Sequence, residues 1–164
     1  MTNSKYHMVR KKLQIKKQEE IKRILSEGKI LTLSLCRDNE PYVVTLSYGY
    51  DVKSHAVFFH CAKKGLKLDF IKDNPRICGT VVEDLGYLDG KCSHKYSSVV
   101  FWGEITRIKT LEEMRAAYQV MIYQLEKEPD QVFKRLIKGE FDLKKAFLYR
   151  IDIKEITGKG SSDY

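Results

Sequence analysis

Runs of apolar, β-branched and aromatic residues fill the middle of the chain and predict β-strands. Polar clusters such as Arg37–Glu40 separate these runs and have the composition of turns. Because that cluster is so short, we expect the two runs beside it to pair as a hairpin. Six strands are predicted, at Lys29–Cys36, Pro41–Tyr50, Ala56–Ala62, Arg76–Glu83, Ser97–Ile108 and Ala146–Ile153.

Other segments carry apolar residues at helical spacing. Gly28 provides a stop for the first of them, and Thr110 provides an N-cap for the longest. Asp84–Lys95 is predicted to be a loop, and Thr157–Tyr164 a frayed tail. The predicted helices lie at Arg10–Leu25, at one or two turns around Leu66–Ile71, at Leu111–Leu125 and at Pro129–Leu136.

Strands joined mainly by hairpins, with one helical crossover, predict a mainly β fold. The arrangement favours a small antiparallel Greek-key barrel of six or more strands with flanking helices. The 164 residues fit one domain, which we place at residues 1–156. No apolar run approaches the ~20 residues of a membrane span, and no secretory signal is recognisable, so we expect a cytoplasmic protein.

Charge is concentrated at the N-terminus. The chain has 30 Lys and Arg residues against 22 Asp and Glu, a formal charge of +8. Residues 1–23 hold eight of the basic residues and two of the acidic ones, which leaves the remainder nearly neutral. A solvated helix face is the favoured interpretation, and nucleic-acid binding through this arm is the less favoured one.

The four cysteines show no CxxC pair and no repeated spacing, so we predict neither a zinc module nor a disulfide. Three of them lie in apolar strand-like runs, where a thiol behaves as a small hydrophobic group. The fourth, Cys92, has His94 and Asp89 nearby. These residues would supply only half of a metal site, so we predict no metal. The cysteines are Cys36, Cys61, Cys78 and Cys92.

The most informative segment is Phe58–Pro75, FFHCAKKGLKLDFIKDNP. It places small residues and several lysines where a strand gives way to the first turn of a helix. Free N–H groups and the positive end of the helix dipole gather at such a turn, and ammonium groups add charge-assisted contacts to an anion. A phosphate site is therefore one interpretation. The segment has no Walker or GxGxxG motif, so an ordinary basic connection remains the other.

Three motifs in order carry a resemblance to a known family. PYVVTLSYGYD, FFHCAKKGLKLDFIKDNPRICGTVVED and YSSVVFWGEI together resemble the FMN-binding split β-barrel proteins related to pyridoxamine 5′-phosphate oxidase. The likeness is greatest to the nitroimidazole-resistance-protein-like branch and runs from about Arg10 to Ile156. It implies a split barrel and a homodimer that holds two flavins at the subunit interface.

The resemblance also implies which residues contact the flavin. The second strand would line the ring and ribityl chain with Thr45, Leu46, Ser47 and Tyr48. The third strand's end and the crossover would hold the phosphate with His60, Cys61, Ala62, Lys64, Gly65 and Lys67. A later strand of the partner subunit would contribute Ser98 and Val99. His60 is in addition a candidate catalytic proton donor.

The chain departs from the oxidase pattern in three places. Thr45 stands where the family often has proline, and Val43 stands near the position of an arginine in oxidase members. The oxidase's C-terminal substrate motif is not recognisable in KEITGKGSSDY. Oxidation of pyridoxamine phosphate itself is therefore not expected.

The resemblance favours an FMN-dependent oxidoreductase that reduces a small electrophilic, nitro-type substrate, with FAD as a possible replacement for FMN. A flavin-binding module for storage or sensing, without turnover, is the alternative. A haem-binding barrel with His60 and His94 as ligands is conceivable, although the sequence has no specific haem signature.

Overall fold

The structure is a computed structural model that describes residues 8–161, apart from the side chains of residues 140 and 141. A short 3-10 helix covers Lys11–Leu13. The strands are β1 (Gln14–Ile15), β2 (Ile30–Arg37), β3 (Glu40–Ser47), β4 (Gly49–Asp51), β5 (Ala56–Cys61), β6 (Arg76–Leu88), β7 (Ser93–Arg107) and β8 (Phe147–Gly160). The helices are α1 (Gln18–Glu27), α2 (Leu66–Asp73), α3 (Leu111–Leu125), α4 (Pro129–Leu136) and α5 (Glu140–Leu143).

The strands form one antiparallel sheet in the order β3-β2-β6-β7-β8-β5-β4, and β1 pairs with the end of β8. Strands β3 and β4 lie at opposite ends of this order, yet only Tyr48 separates them in sequence. The sheet must therefore curl until its two ends meet, which produces a barrel. The predicted mainly β barrel with flanking helices is confirmed, as are the β2–β3 hairpin and the helix after β5.

Tyr48 is fully buried at the point where the sheet closes. Its hydroxyl donates a hydrogen bond of 2.7 Å to the carbonyl of Leu25, near the end of α1. Burial raises the pKa of the phenol well above its usual range, so the group remains a donor. A Cβ atom at Gly28 would lie 2.5 Å from the same hydroxyl, which explains why glycine stands there.

Gln124 of α3 connects β4 to the end of α1. Its amide nitrogen donates to the carbonyls of Leu25 and Gly28, and its amide oxygen accepts from the backbone N–H of Tyr50 in β4. Helix α3 can approach this closely because Gly49 has no side chain; a Cβ there would lie 2.7 Å from the Cα of Met121.

Two apolar clusters fill the fold. Inward-facing residues of the strands alternate with outward ones, as along β2, where Leu31, Leu33 and Leu35 are buried inside the barrel with Phe101. The second cluster lies between α3 and the strands β5 and β8. Helix α1 covers the barrel with Ile21, Ile24 and Leu25.

The prediction of a loop at Asp84–Lys95 is wrong. Strand β6 continues to Leu88, β7 begins at Ser93, and the two form a long hairpin. The register shifts between Asp84 and Tyr87, and Gly86 there has a φ of +98°. This irregularity interrupts the apolar alternation on which the prediction depended.

The chain ends also differ from expectation. The segment predicted as a frayed tail from Thr157 continues as β8 to Gly160 and pairs with β7 and β1; residues 162–164 lie outside the described range. The first α-helix begins at Gln18 rather than Arg10, because β1 precedes it. Short α5 was not predicted.

The structure bears on the predictions made for membrane spans, metal ligands and cysteines. No helix among them has both the length and the apolar character needed to cross a membrane. Within residues 8–161, no three His, Cys, Asp or Glu side chains are grouped as metal ligands. Cys61 is buried, Cys78 is half-buried, and Cys36 is exposed despite its apolar neighbours. His94, proposed beside Cys92, instead contacts the carboxylate of Asp84 at 2.6 Å.

We expect Gln124→Ala to lower the free energy of unfolding by about 2–4 kcal/mol. The change leaves the Tyr50 N–H and the Gly28 carbonyl without their partners, and an unsatisfied buried group costs roughly 1–3 kcal/mol. Urea denaturation measures the effect. Gln131→Ala, at an exposed position of α4, is the control and should change stability by less than about 0.5 kcal/mol. Equal stability of the two variants would contradict this role of Gln124.

Candidate functional site

The pairing of β4 with β5 stops at a gap in the barrel wall, which we call the cleft. The last pair is Gly49 with Phe58. The same register continued along the chain would place Ser47 opposite His60 and Thr45 opposite Ala62, but neither pair forms in the described sheet. Because β3 pairs with β2 alone, its other edge faces this cleft with unpaired backbone groups. The barrel is therefore split between β3 and the end of β5.

One end of the cleft is formed by the turn from β5 into α2. Gly65 precedes the helix with a φ of +138°, a conformation that residues with a side chain rarely adopt. No side chain caps α2, so N–H groups of its first turn are available to an anion. Lys64 is exposed in the same turn. The turn has the features predicted for a phosphate site.

Lys67, in the first turn of α2, is half-buried. None of the ion pairs formed within residues 8–161 includes it. Burial lowers the pKa of His60, and the ammonium of Lys67 lowers it further. Burial raises the pKa of the Cys61 thiol, and the same ammonium opposes that rise. The lysine charge thus lies within electrostatic reach of the end of β5 and lacks a carboxylate to balance it.

His60 connects the cleft to a cavity of about 370 Å³. Its side chain points outward from β5 toward α3, and its ring centroid lies 6.1 Å from that of Tyr118. The cavity walls are mostly apolar, and Lys145 and Asp142 form an ion pair of 2.7 Å among the lining residues. The apolar lining comprises Met121, Ile122, Leu125, Leu136, Ile137 and Ala146. A neutral imidazole here can donate one hydrogen bond and accept another.

The predicted contacts divide by the face of the sheet on which they lie. Thr45 and Ser47 are exposed on β3, and His60 and Ala62 also reach the surface. Leu46 is half-buried against the barrel core, and Cys61 is buried in it.

Two of the predicted side chains are occupied elsewhere. Tyr48 and Val99 are fully buried, and Val99 is paired on both sides, with Val81 and Gly158. Their side chains fill the barrel core, and their contact with a flavin stays a prediction. Ser98 points outward, and its hydroxyl donates to the carbonyl of Lys159 at 3.3 Å.

Tyr118 lies at helical spacing with Met114 and Met121, a pattern that predicts a core position. It is half-buried and lines the cavity beside His60. Its helical spacing with Met114 and Met121 gave no indication of this position, since all three lie at core-like intervals. Only the packing of α3 across β4 brings Tyr118 over the end of β5.

The outer face of four adjacent strands carries no charge at its centre. One row runs from Thr45 through Thr32 and Thr80 to Val100 across β3, β2, β6 and β7. The neighbouring row contains Val43, Ser34, Cys78 and Trp102. Val43 is 58% exposed and Val82, on the same face, is 59% exposed. Such a surface is typical of a protein interface.

Comparison with known families identifies the class of protein. Residues 17–160 match the family described as pyridoxamine 5′-phosphate oxidase. The match includes the cleft, the α2 turn and the outer sheet face. The chain therefore belongs to this family, and the resemblance predicted from the three motifs is confirmed.

Solved structures of similar fold have low sequence identity. A proposed 5-nitroimidazole antibiotic resistance protein of Bacteroides thetaiotaomicron VPI-5482 has a TM-score of 0.76 at 19% identity, over 89% of this chain and 85% of its own. The FAD and heme binding protein of Mycobacterium smegmatis has a TM-score of 0.76 at 15% identity, over 93% of this chain and 75% of its own. At these identities the likeness establishes the fold alone.

A curated relative is similar over a shorter stretch. An uncharacterized protein of Rhizobium meliloti (strain 1021) is 25% identical over 71 residues, which are 43% of this chain. The matched stretch spans 45% of that relative's length, less than half.

The pKa of His60 should respond to the charge of Lys67. We expect Lys67→Gln to raise the pKa of His60, because removing the nearby cation makes protonation of the imidazole easier. NMR titration of the imidazole resonances measures the shift. Lys72→Gln removes an equal charge from an exposed position of α2 and should leave the pKa of His60 unchanged. The same response in both variants would show that Lys67 is not close to His60.

Proposed function

We propose that this protein binds FMN in the cleft as a homodimer and reduces a small electrophilic, nitro-type substrate. The observation that carries the proposal is the half-buried, unbalanced Lys67 in an uncapped helix turn at the end of the cleft. Two structurally similar proteins support it by their descriptions: one is a proposed nitroimidazole resistance protein, and the other binds FAD and heme.

The residues of the cleft fit the parts of FMN. The phosphate would lie against the first-turn N–H groups of α2, with Lys67 and Lys64 supplying positive charge. The hydroxyls of Thr45 and Ser47 and the unpaired edge of β3 would meet the ribityl chain and the polar side of the ring. FAD, with a diphosphate in place of the phosphate, would use the same corner and is the second candidate cofactor.

A homodimer would complete the site. The outer face of β3, β2, β6 and β7, which carries no charge at its centre, adjoins the cleft through Thr45. A second copy seated on this face would bring its own Ser98 near the cleft, because Ser98 lies on the same face beside Val82. The apolar side chains of Val43 and Val82, which a single chain exposes, would then be buried.

The flavin, when bound, would supply hydride and electron transfer. The protein's part is to orient the substrate and to keep water away from it. The apolar walls of the cavity beside His60 suit a small neutral ring, and they exclude solvent from it. The pKa of His60 is lowered, so its imidazole is neutral near pH 7 and can donate its single N–H to an oxygen of the substrate.

Cofactor content and turnover can be tested together. We expect purified protein to be yellow, to release FMN on denaturation, and to sediment with the mass of two chains. Reduction by a nicotinamide donor without oxygen, followed by reoxidation on addition of a nitroimidazole, would support the enzyme. Stable bound flavin without reoxidation would favour the storage or sensing module. Colourless protein that does not bind added FMN would reject the proposal.

Lys67→Ala should weaken FMN binding by ~1.5–3 kcal/mol, the usual scale for a lost charge-assisted contact. Riboflavin has the same ring without a phosphate, so its affinity should be equal in Lys67→Ala and the unaltered protein. Lys72→Ala is the control for charge on the same helix. Quenching of the flavin fluorescence on binding measures each of these affinities. An equal loss of affinity for FMN and riboflavin would mean that Lys67 does not contact the phosphate.

A further inference from the structure

A second cavity, of about 230 Å³, lies where β5 and β7 end and β8 begins, and its lining is basic. Four cationic side chains line it, and no described carboxylate is among the lining residues. Ile108, Met114 and Phe147 supply apolar surface to its floor. The cationic residues are Lys63, Arg107, Lys109 and Lys144.

Strand register explains why these cations meet. Cys61 pairs with Phe147, and Arg107 pairs with Tyr149, so the ends of β5 and β7 lie on either side of the start of β8. Lys63 follows β5 by two residues, and Lys109 follows β7 by two. The sheet therefore places Lys63 and Lys109 close to Arg107 and the start of β8.

Arg107 is held in place by an aromatic ring. Its guanidinium carbon lies 3.6 Å from the ring centroid of Phe147, which is the geometry of a cation–π contact. Stacking occupies one face of the guanidinium and leaves its N–H groups directed sideways, where they can bind two oxygens of one anion.

Three of the four cations in this cavity bear on the binding of an anion. Among the described residues, Lys63, Arg107 and Lys109 take part in no ion pair. Two carboxylates near these cations in sequence are engaged elsewhere. Asp142 pairs with Lys145, and Glu113 accepts a hydrogen bond from the hydroxyl of Thr110, the N-cap of α3. Three such cations gathered in one cavity favour the binding of an anion.

We propose that this cavity binds the phosphate group of a small phosphorylated molecule, at a site separate from the flavin cleft. The cleft lies on the β3 side of β5, whereas this cavity lies on its β8 side. Its volume is below the ~300–1,000 Å³ of sites for drug-sized ligands, so it suits a phosphate with a small attached group. The apolar floor would contact that group.

The test is calorimetric titration of the FMN-saturated protein with inorganic phosphate and with phenyl phosphate. We expect both to bind, and Arg107→Gln and Lys109→Gln each to weaken binding about tenfold, the loss of one charge-assisted contact. Lys91→Gln, at the far hairpin between β6 and β7, is the matched control and should bind as the unaltered protein does. The flavin spectrum should be the same in all variants.

The two phosphates distinguish the source of the ligand. Tighter binding of phenyl phosphate would show that the apolar floor recognises an ester, and equal binding would indicate free phosphate. Lys109→Gln guards against misfolding, since Lys109 lies beyond the end of β7, whereas Arg107 is part of the strand. Failure of the unaltered protein to bind either phosphate, or equal binding by all three variants, would overturn the proposal. If the protein does not bind FMN, the result counts against the flavin cleft and not against this cavity. The titration would then use the Lys67→Ala variant, in which the proposed phosphate contact at the α2 turn is removed.

Discussion

The passage of the chain through Tyr48 is the constraint on which the structure depends. Strands at opposite ends of the sheet are consecutive in sequence, so the sheet closes because the chain is continuous. The turn at this point is secured by buried hydrogen bonds from Tyr48 and Gln124 to the end of α1. A buried polar group without a partner is costly, so these bonds fix α1, β4 and α3 in one arrangement.

The same constraint produces the cleft. Pairing with β5 resumes only at Gly49, beyond the bend, and the preceding part of β3 is left with an open edge. Closure at one end of the barrel thus requires a split at the other. The uncapped first turn of α2 and the charge of Lys67 lie at that split. An anion bound there would balance a half-buried cation, which suggests that the site is completed by its ligand.

Local sequence predicted much of this arrangement and missed what depends on tertiary contacts. Apolar runs located the strands, and the glycine and lysines after β5 indicated a basic turn into a helix, because both signals are contained in a few adjacent residues. Gln124 gave no such signal, since its three partners are 74, 96 and 99 residues away. The position of Tyr118 beside His60, and the stack of Arg107 on Phe147, also depend on strand register. The bulge near Gly86 hid a hairpin by breaking its alternation.

The outer sheet face is the surface on which the proposed dimer depends. A single chain exposes the open edge of β3 together with an uncharged surface that includes Val43 and Val82. Exposed strand edges and apolar patches promote aggregation unless another surface covers them. Basic side chains are abundant elsewhere on the protein, yet the central rows of this face contain none. That distribution favours a second copy of the chain over a polyanion as the partner of this face, because a dimer would bury the apolar surface and the cleft edge together.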